Sequence, residues 1–100
     1  MRMPMNLQDD SLDLVSNFFK ILSDPIRLKI LCALGSEPKT AIALSSSLGL
    51  KPAEITQQLN IMAQVGIVNR DKSGSSIHYA ITDSNVLFLC DMVSDLLVNS

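Results

Sequence analysis

Apolar residues recur with helical spacing from the first quarter of the chain. Leu12, Val15, Phe18, Phe19 and Leu22 stand at i, i+3, i+6, i+7 and i+10, which predicts a helix of about three turns. Asp9, Asp10 and Asp13 fall in its first turn, where the helix dipole favours anions. Ser23-Asp24-Pro25 stops this helix and starts another, because Asp24 can cap and Pro25 suits the first helical position. The second helix carries Ile26, Leu28, Ile30, Leu31 and Leu34 and ends at Gly35. Its apolar residues lie on more than one face, so a central place is expected. Thr40 can cap a third helix, with Ile42, Ala43, Leu44 and Leu48 turned inward and Gly49 closing it. Leu50-Lys51-Pro52 leads into a fourth, with Glu54 near its positive end and Ile55, Leu59, Ile61 and Met62 as its apolar stripe.

After Gly66 the period changes. Ile67 and Val68 start a short strand, and the polar run Asn69 to Ser76 carries Gly74 as its turn residue. Ile77, Tyr79 and Ile81 then alternate with His78 and Ala80, the period of a strand. The pair reads as a β-hairpin with a polar tip. Thr82 or Asp83 caps a last helix bearing Val86, Leu87, Leu89, Cys90, Val93, Leu96 and Leu97. Two short helices joined by a turn containing Gly49 form a helix-turn-helix signal, and a hairpin directly after them makes it a winged helix. The expected fold is mainly α with a small β-hairpin, in the order α-α-α-α-β-β-α, and dimeric. Residues 1–8 read as a flexible N-terminal tail and residues 9–98 as one domain with dimerisation helices at both ends.

Composition adds to this picture in three ways. A chain of 100 residues is one domain's length. It is 47% hydrophobic but only 18% charged, which suggests apolar surface covered by a second copy. The net charge of −2 excludes a polybasic binder by bulk charge, yet the signs are not evenly spread. Residues 39–79 hold Lys39, Lys51, Arg70 and Lys72 against Glu54 and Asp71, whereas residues 80–100 hold only Asp83, Asp91 and Asp95. The basic surplus thus coincides with the helix-turn-helix and wing, where phosphate contact needs it. No apolar run is long enough to span a membrane, and MRMPMNLQDD has no apolar core of a secretory signal. Cys32 and Cys90 form no CxxC pair, and a cytoplasmic, reducing setting is expected.

Three stretches together resemble the ArsR/SmtB family of small bacterial repressors: LSDPIRLKILCAL (22–34), LGLKPAEITQQLNIMAQVGIV (48–68) and SSIHYAI (75–81). The resemblance extends over about residues 12–97. It implies a homodimer whose first and last helices pack between subunits, with Leu12, Val15, Phe19, Val86, Leu89, Val93 and Leu97 at the interface. It also implies that the paired fourth helices enter successive major grooves of double-stranded DNA at a two-fold symmetric operator. The expected function is a transcriptional regulator, a repressor on an inverted repeat.

The expected DNA contacts are Lys51, Ala53, Glu54, Thr56, Gln57, Gln58 and Asn60 on the fourth helix. Arg70, Lys72, Ser73, Ser75 and Ser76 join them from the wing. Thr56, Gln57 and Gln58 match family positions that usually hold Ser, a polar residue and His. Glutamine can pair bidentately with adenine, and threonine can meet a phosphate or a thymine methyl. The chain also departs from the family. Lys51-Pro52-Ala53-Glu54 stands where Ser-Gln-Ser-Thr is common, and Asn60 and Ala63 stand where basic residues are common. Glu54 repels phosphate unless it accepts from a cytosine amino group.

Family members often bind metal, but neither known site is legible here. The segment TAIALSS (40–46) lacks the Cys-x-Cys pair of one site, and of Asp83, Asn85, Leu96 and Asn99 only Asp83 matches the other. No metal and no cofactor are expected, and the inducer is not identified. Cys32 matches the position of a cysteine in thiol-based sensors of the family, so Cys32 and Cys90 form a possible thiol sensor. Cys90, however, stands roughly eight residues early for the usual partner, about 12 Å of helix rise, and a disulfide needs Cα atoms within about 7 Å. The plainer reading makes both cysteines buried apolar filler.

His78 is expected to face solvent, and Met62, Met92, Tyr79, Phe18 and Phe19 to pack. Phe18, Phe19, Phe88 and Met92 are candidates to line a small cavity at the seam between copies. No nucleophile–base pair or Gly-rich phosphate loop is present, and Ser45-Ser46-Ser47 lies within a helix with no base beside it, so no enzyme is expected. The main rival is a winged-helix dimer serving as a protein-interaction module.

Overall fold

The computed structural model describes residues 9–98, with side chains from residue 11; the expected tail at 1–8 lies outside the described residues. Helices α1 (Asp9–Leu22), α2 (Pro25–Leu34), α3 (Ala41–Leu48) and α4 (Pro52–Gln64) precede strands β1 (Val68–Ser73) and β2 (Ser76–Ile81), and α5 (Asn85–Val98) follows. The caps set these boundaries. Asp24 Oδ1 accepts from the backbone N–H of Ile26 at 2.8 Å and of Arg27 at 3.3 Å, which satisfies two free donors of α2. Thr40 Oγ1 accepts from Ala43 N–H at 3.2 Å, and Asp83 Oδ1 from Asn85 N–H at 2.9 Å.

Helix α2 is central: it touches α1, α3, α4 and β2. Its Ile30, Leu31 and Leu34 are fully buried, together with Leu44 of α3 and Ile55, Leu59 and Met62 of α4. Leu22, Ile67, Val68, Tyr79 and Val86 close this core. Three sequence expectations change here. Ile42, expected inward, is 71% exposed, and Ala43 is exposed as well. Helix α3 is only 8 residues long and offers one face, which Leu44 occupies; a residue two positions away points to the opposite side. Val86, expected at a seam between copies, is buried in the chain's own core.

The third change concerns the hairpin. Asn69–Ser73, expected as part of a polar tip, is paired strand, in register from Val68 opposite Ile81 to Ser73 opposite Ser76. Only Val68 of β1 is buried, so an apolar alternation was never needed to hold the rest; the ladder hydrogen bonds do so. Gly74, at φ 65°, supplies the positive φ that a two-residue hairpin turn requires. Lys39 adds a short third edge. Its N–H donates to Tyr79 C=O at 2.9 Å and Tyr79 N–H donates back to Lys39 C=O at 2.8 Å. The hairpin is thereby tied to the loop between α2 and α3.

Gly49 ends α3 in the left-handed region, at φ 69°, and its N–H donates to Ser45 C=O. A Cβ added at Gly49 meets nothing within 4 Å, so an alanine there brings strain and no clash. Gly49→Ala is expected to lower unfolding free energy by about 1–2 kcal/mol in denaturant titration, and Gly49→Asn by less, since asparagine tolerates this region.

Candidate nucleic-acid interface

The turn between α3 and α4 is held by side chain as well as backbone. The Ser45 hydroxyl donates to Leu50 C=O, so the serine run that carries no catalytic partner has a structural use in the turn. Pro52 opens α4 with its φ already set, and the preceding Lys51 makes no side-chain cap. The first amides of α4 therefore have no side-chain partner at Lys51, in a place where an anion can accept from them. Ile55, Leu59 and Met62 anchor α4 against α2 and α3, and this fixes which face remains outside.

That outer face is narrower than the sequence suggests. Lys51, Ala53 and Gln57 are exposed, and Glu54 and Thr56 are half-buried beside them. Gln58 and Asn60, also among the expected DNA contacts, are half-buried and flank the buried stripe. Gln58 Oε1 accepts from Arg27 Nε at 2.9 Å, and Arg27 Nη1 also donates to Ile21 C=O at 3.2 Å. Asn60 Oδ1 is buried with no hydrogen-bond partner among the described residues, in a cleft shared with Ala63, Gln64 and Arg70. One signal in the sequence bears on this: Gln58 and Asn60 sit directly on either side of the fully buried Leu59, so both border the core face. Nothing in the sequence points to Arg27 as the partner of Gln58.

On the wing, Lys72, Ser73, Ser75 and Ser76 are all exposed around the turn. Arg70 is exposed too, and its guanidinium carbon lies 5.9 Å from the centroid of the Tyr79 ring, its partner in register. The interaction of the cation with the ring face orients Arg70. Lys51, just before α4, and Arg70 and Lys72 on β1 are thus exposed cations, and Arg70 shares a cleft with Asn60, Ala63 and Gln64 of α4. Lys39, counted in the same basic stretch, is spent elsewhere: its ammonium donates to Leu34 C=O at 2.8 Å, at the end of α2.

The terminal helices form a second feature. Helix α1 exposes Leu12, Val15 and Phe19, and every residue of α5 from Asp91 to Val98 is exposed. Met92, Val93, Leu96 and Leu97 make that stretch apolar, with Leu97 at 74% exposure. Between α1, α2 and α5 lies an apolar cleft of about 370 Å³, lined by Phe19, Leu22, Leu28, Leu89, Cys90 and Val93. Of the four residues expected around a cavity, only Phe19 lines this one; Phe18 lines a different cleft, under Val65 and Ile67.

Neither cysteine is buried filler. Cys32 is exposed and Cys90 half-buried. Partial burial pushes the Cys90 thiol up from its ordinary value, and nearby Cys32 and Asp91 add to the effect. The thiolate is the reactive form, so raising the pKa lowers the reactive fraction at neutral pH. In a pH series of alkylation read by mass spectrometry, Cys90 is therefore expected to be modified later than Cys32 near pH 7. Its rate should rise with pH along a curve displaced to higher pH than that of an ordinary thiol.

Comparison with known proteins places the chain. The family model described as "Bacterial regulatory protein, arsR family" matches residues 24–70, which run from the α2 cap through α4 into β1. The chain is 34% identical over 79 residues to the cadmium resistance transcriptional regulatory protein CadC of Listeria innocua, covering 78% of this chain and 66% of that protein. It is 31% identical over 77 residues to the HTH-type transcriptional regulator NmtR of Mycobacterium tuberculosis, covering 77% and 64%. The chain thus spans just under two thirds of the length of these relatives. In fold it is similar to the homodimeric winged helix-turn-helix DNA-binding domain of a possible ArsR-family regulator from Mycobacterium bovis. The TM-score is 0.81 at 23% identity, over 97% of this chain and 90% of the other.

Proposed function

The chain belongs to the arsR family of bacterial regulatory proteins, and from that premise we propose that it is a DNA-binding transcriptional regulator, a repressor that holds an inverted-repeat operator as a homodimer. The observation that carries this reading is the outer face of α4. Its inner side is fixed by Ile55, Leu59 and Met62, and its outer side leaves Gln57 exposed, with the exposed Lys51 just before the helix begins. An α-helix carried in this way fits the major groove. Gln57, fully outside, keeps both amide atoms for an adenine edge. Lys51, Lys72 and the wing serines are placed for phosphates, which position the protein without reading sequence. Bound on a promoter, such a dimer excludes polymerase.

The homodimer is supported by the exposed apolar faces of α1 and α5. Met92, Val93, Leu96 and Leu97 form the kind of exposed apolar patch that marks an interaction surface. A second copy supplies a like face by two-fold symmetry, and the neighbour of like fold from Mycobacterium bovis is homodimeric.

Substitution separates the roles. Lys51→Ala and Lys72→Ala are each expected to weaken binding to all sequences alike and to lower the slope of log affinity against log salt by about 1. Gln57→Ala is expected to cost about 1–3 kcal/mol against one base pair only. A salt-dependent binding titration measures both. Unchanged affinity in all three variants would move the reading to a protein-interaction module.

A second reading, thiol sensing, is favoured by the exposure of Cys32 beside Cys90. It requires that oxidised or persulfide-treated protein release DNA and that a Cys32→Ser, Cys90→Ser double variant stay bound.

A further inference from the structure

Arg27 joins two parts of the molecule that the function needs in register. It lies on α2, half-buried, in the turn capped by Asp24. One arm reaches back to Ile21 C=O, in the last turn of α1, and its Nε reaches across to Gln58 on α4. Last-turn carbonyls of a helix lack partners within it, and a cation there is favoured by the helix dipole. The link therefore runs from the end of a terminal helix that exposes an apolar face to the helix proposed to read DNA.

The chemistry of the pair fixes more than position. Arginine has five N–H donors and no acceptor. The Gln58 amide must therefore turn its oxygen toward Arg27, which leaves its NH2 as the group free to act elsewhere. A glutamine reads adenine bidentately only when its oxygen accepts from N6 while its NH2 donates to N7. Oε1 has a second lone pair, so the contact with Arg27 fixes how this amide is turned without removing it as an acceptor. Held in this way, the amide offers one fixed arrangement of donor and acceptor to a base edge, whereas a freely turning amide offers several.

We propose that Arg27 is a positioning residue that ties α4 to the end of α1 and holds the Gln58 amide in one orientation, so that this side chain presents a fixed edge to the duplex. This deepens the DNA-binding reading and rests on it.

The test uses the full chain in four forms besides wild type: Arg27→Met, Gln58→Met, the double variant, and Arg27→Lys. Binding is measured on a randomised duplex library and by titration on the site that wild type selects. Arg27→Met is expected to weaken binding roughly tenfold, the worth of one well-placed hydrogen bond. It should also relax base preference at one position per half-site, because the Gln58 amide is released to turn. The double variant is expected to bind no worse than Gln58→Met alone and to show the same base preference as that variant. Arg27→Lys keeps the charge at the end of α1 but lacks the planar fork. It is expected to fold like wild type and to show a partial relaxation of base preference, which keeps the test open should Arg27→Met fold poorly.

A merely structural Arg27 would lower affinity evenly and leave base preference alone. Additive losses, or an unchanged preference in both Arg27 variants, would overturn the positioning role and leave the DNA-binding reading standing. A wild-type protein that selects no duplex overturns both.

Discussion

A Phe19→Asp, Val93→Asp variant is expected to remain folded, to sediment as a monomer, and to bind the selected operator about 10²–10⁴-fold more weakly than wild type. Phe19 is 51% and Val93 43% exposed, so neither is needed to fill the core. Phe18, next to Phe19 and edge-on to it at 6.0 Å between ring centroids, is the half-buried member that packs against the core. A carboxylate on each apolar face costs little in a monomer, where water reaches it. In a dimer the same carboxylates become buried charges without partners, which is strongly unfavourable. Loss of dimer then removes the second α4, and with it the effective concentration that links one half-site to the other. Analytical ultracentrifugation and a binding titration on the same samples check both steps. A variant that stays dimeric would place the seam elsewhere, and a monomer of undiminished affinity would show that one α4 suffices.

The second large effect separates stability from recognition on a single helix. Leu59 is fully buried on α4, two residues from the exposed Gln57. Leu59→Ala is expected to cost about 2–5 kcal/mol in urea denaturation, the sum of lost transfer energy and the cavity left behind. That is a large share of the ~5–15 kcal/mol holding a typical domain. Gln57→Ala, by contrast, is expected to stay within about 0.5 kcal/mol of wild type in the same measurement, as surface substitutions do. An unfolding midpoint unmoved by Leu59→Ala would contradict the packing of α4 against α2 and α3.

What the sequence made legible was mostly local. Asp24, Thr40 and Asp83 are side-chain caps within a few residues of the amides they satisfy, and Gly35, Gly49 and Gly66 take positive φ where helices end. These features need only neighbouring residues, so they can be read before the fold is known. The burial of α2 was legible for a related reason, since an all-round apolar helix has one stable place. The rest depended on how elements meet. Arg27 and Gln58 are 31 residues apart, and only the angle between α2 and α4 brings them together. The length of β1 is set by its partner strand, whose register carries five polar residues of β1 past Val68. The outward turn of Ile42 follows from α3 having one neighbouring face to fill, which its hydrophobicity does not reveal. The exposure of Cys32 on a mostly apolar helix belongs to the same group: the two cysteines read as filler until the packing showed their surroundings.

The most direct measurement is selection of bound duplexes from a randomised library by the reduced wild-type protein at low and at near-physiological salt. Enrichment of a two-fold symmetric site, with half-site centres about one helical turn (~10 bp) or a multiple of it apart, is expected from two α4 helices carried on one dimer. Failure to enrich any sequence at low salt, where phosphate contacts are strongest, would contradict DNA recognition by this face.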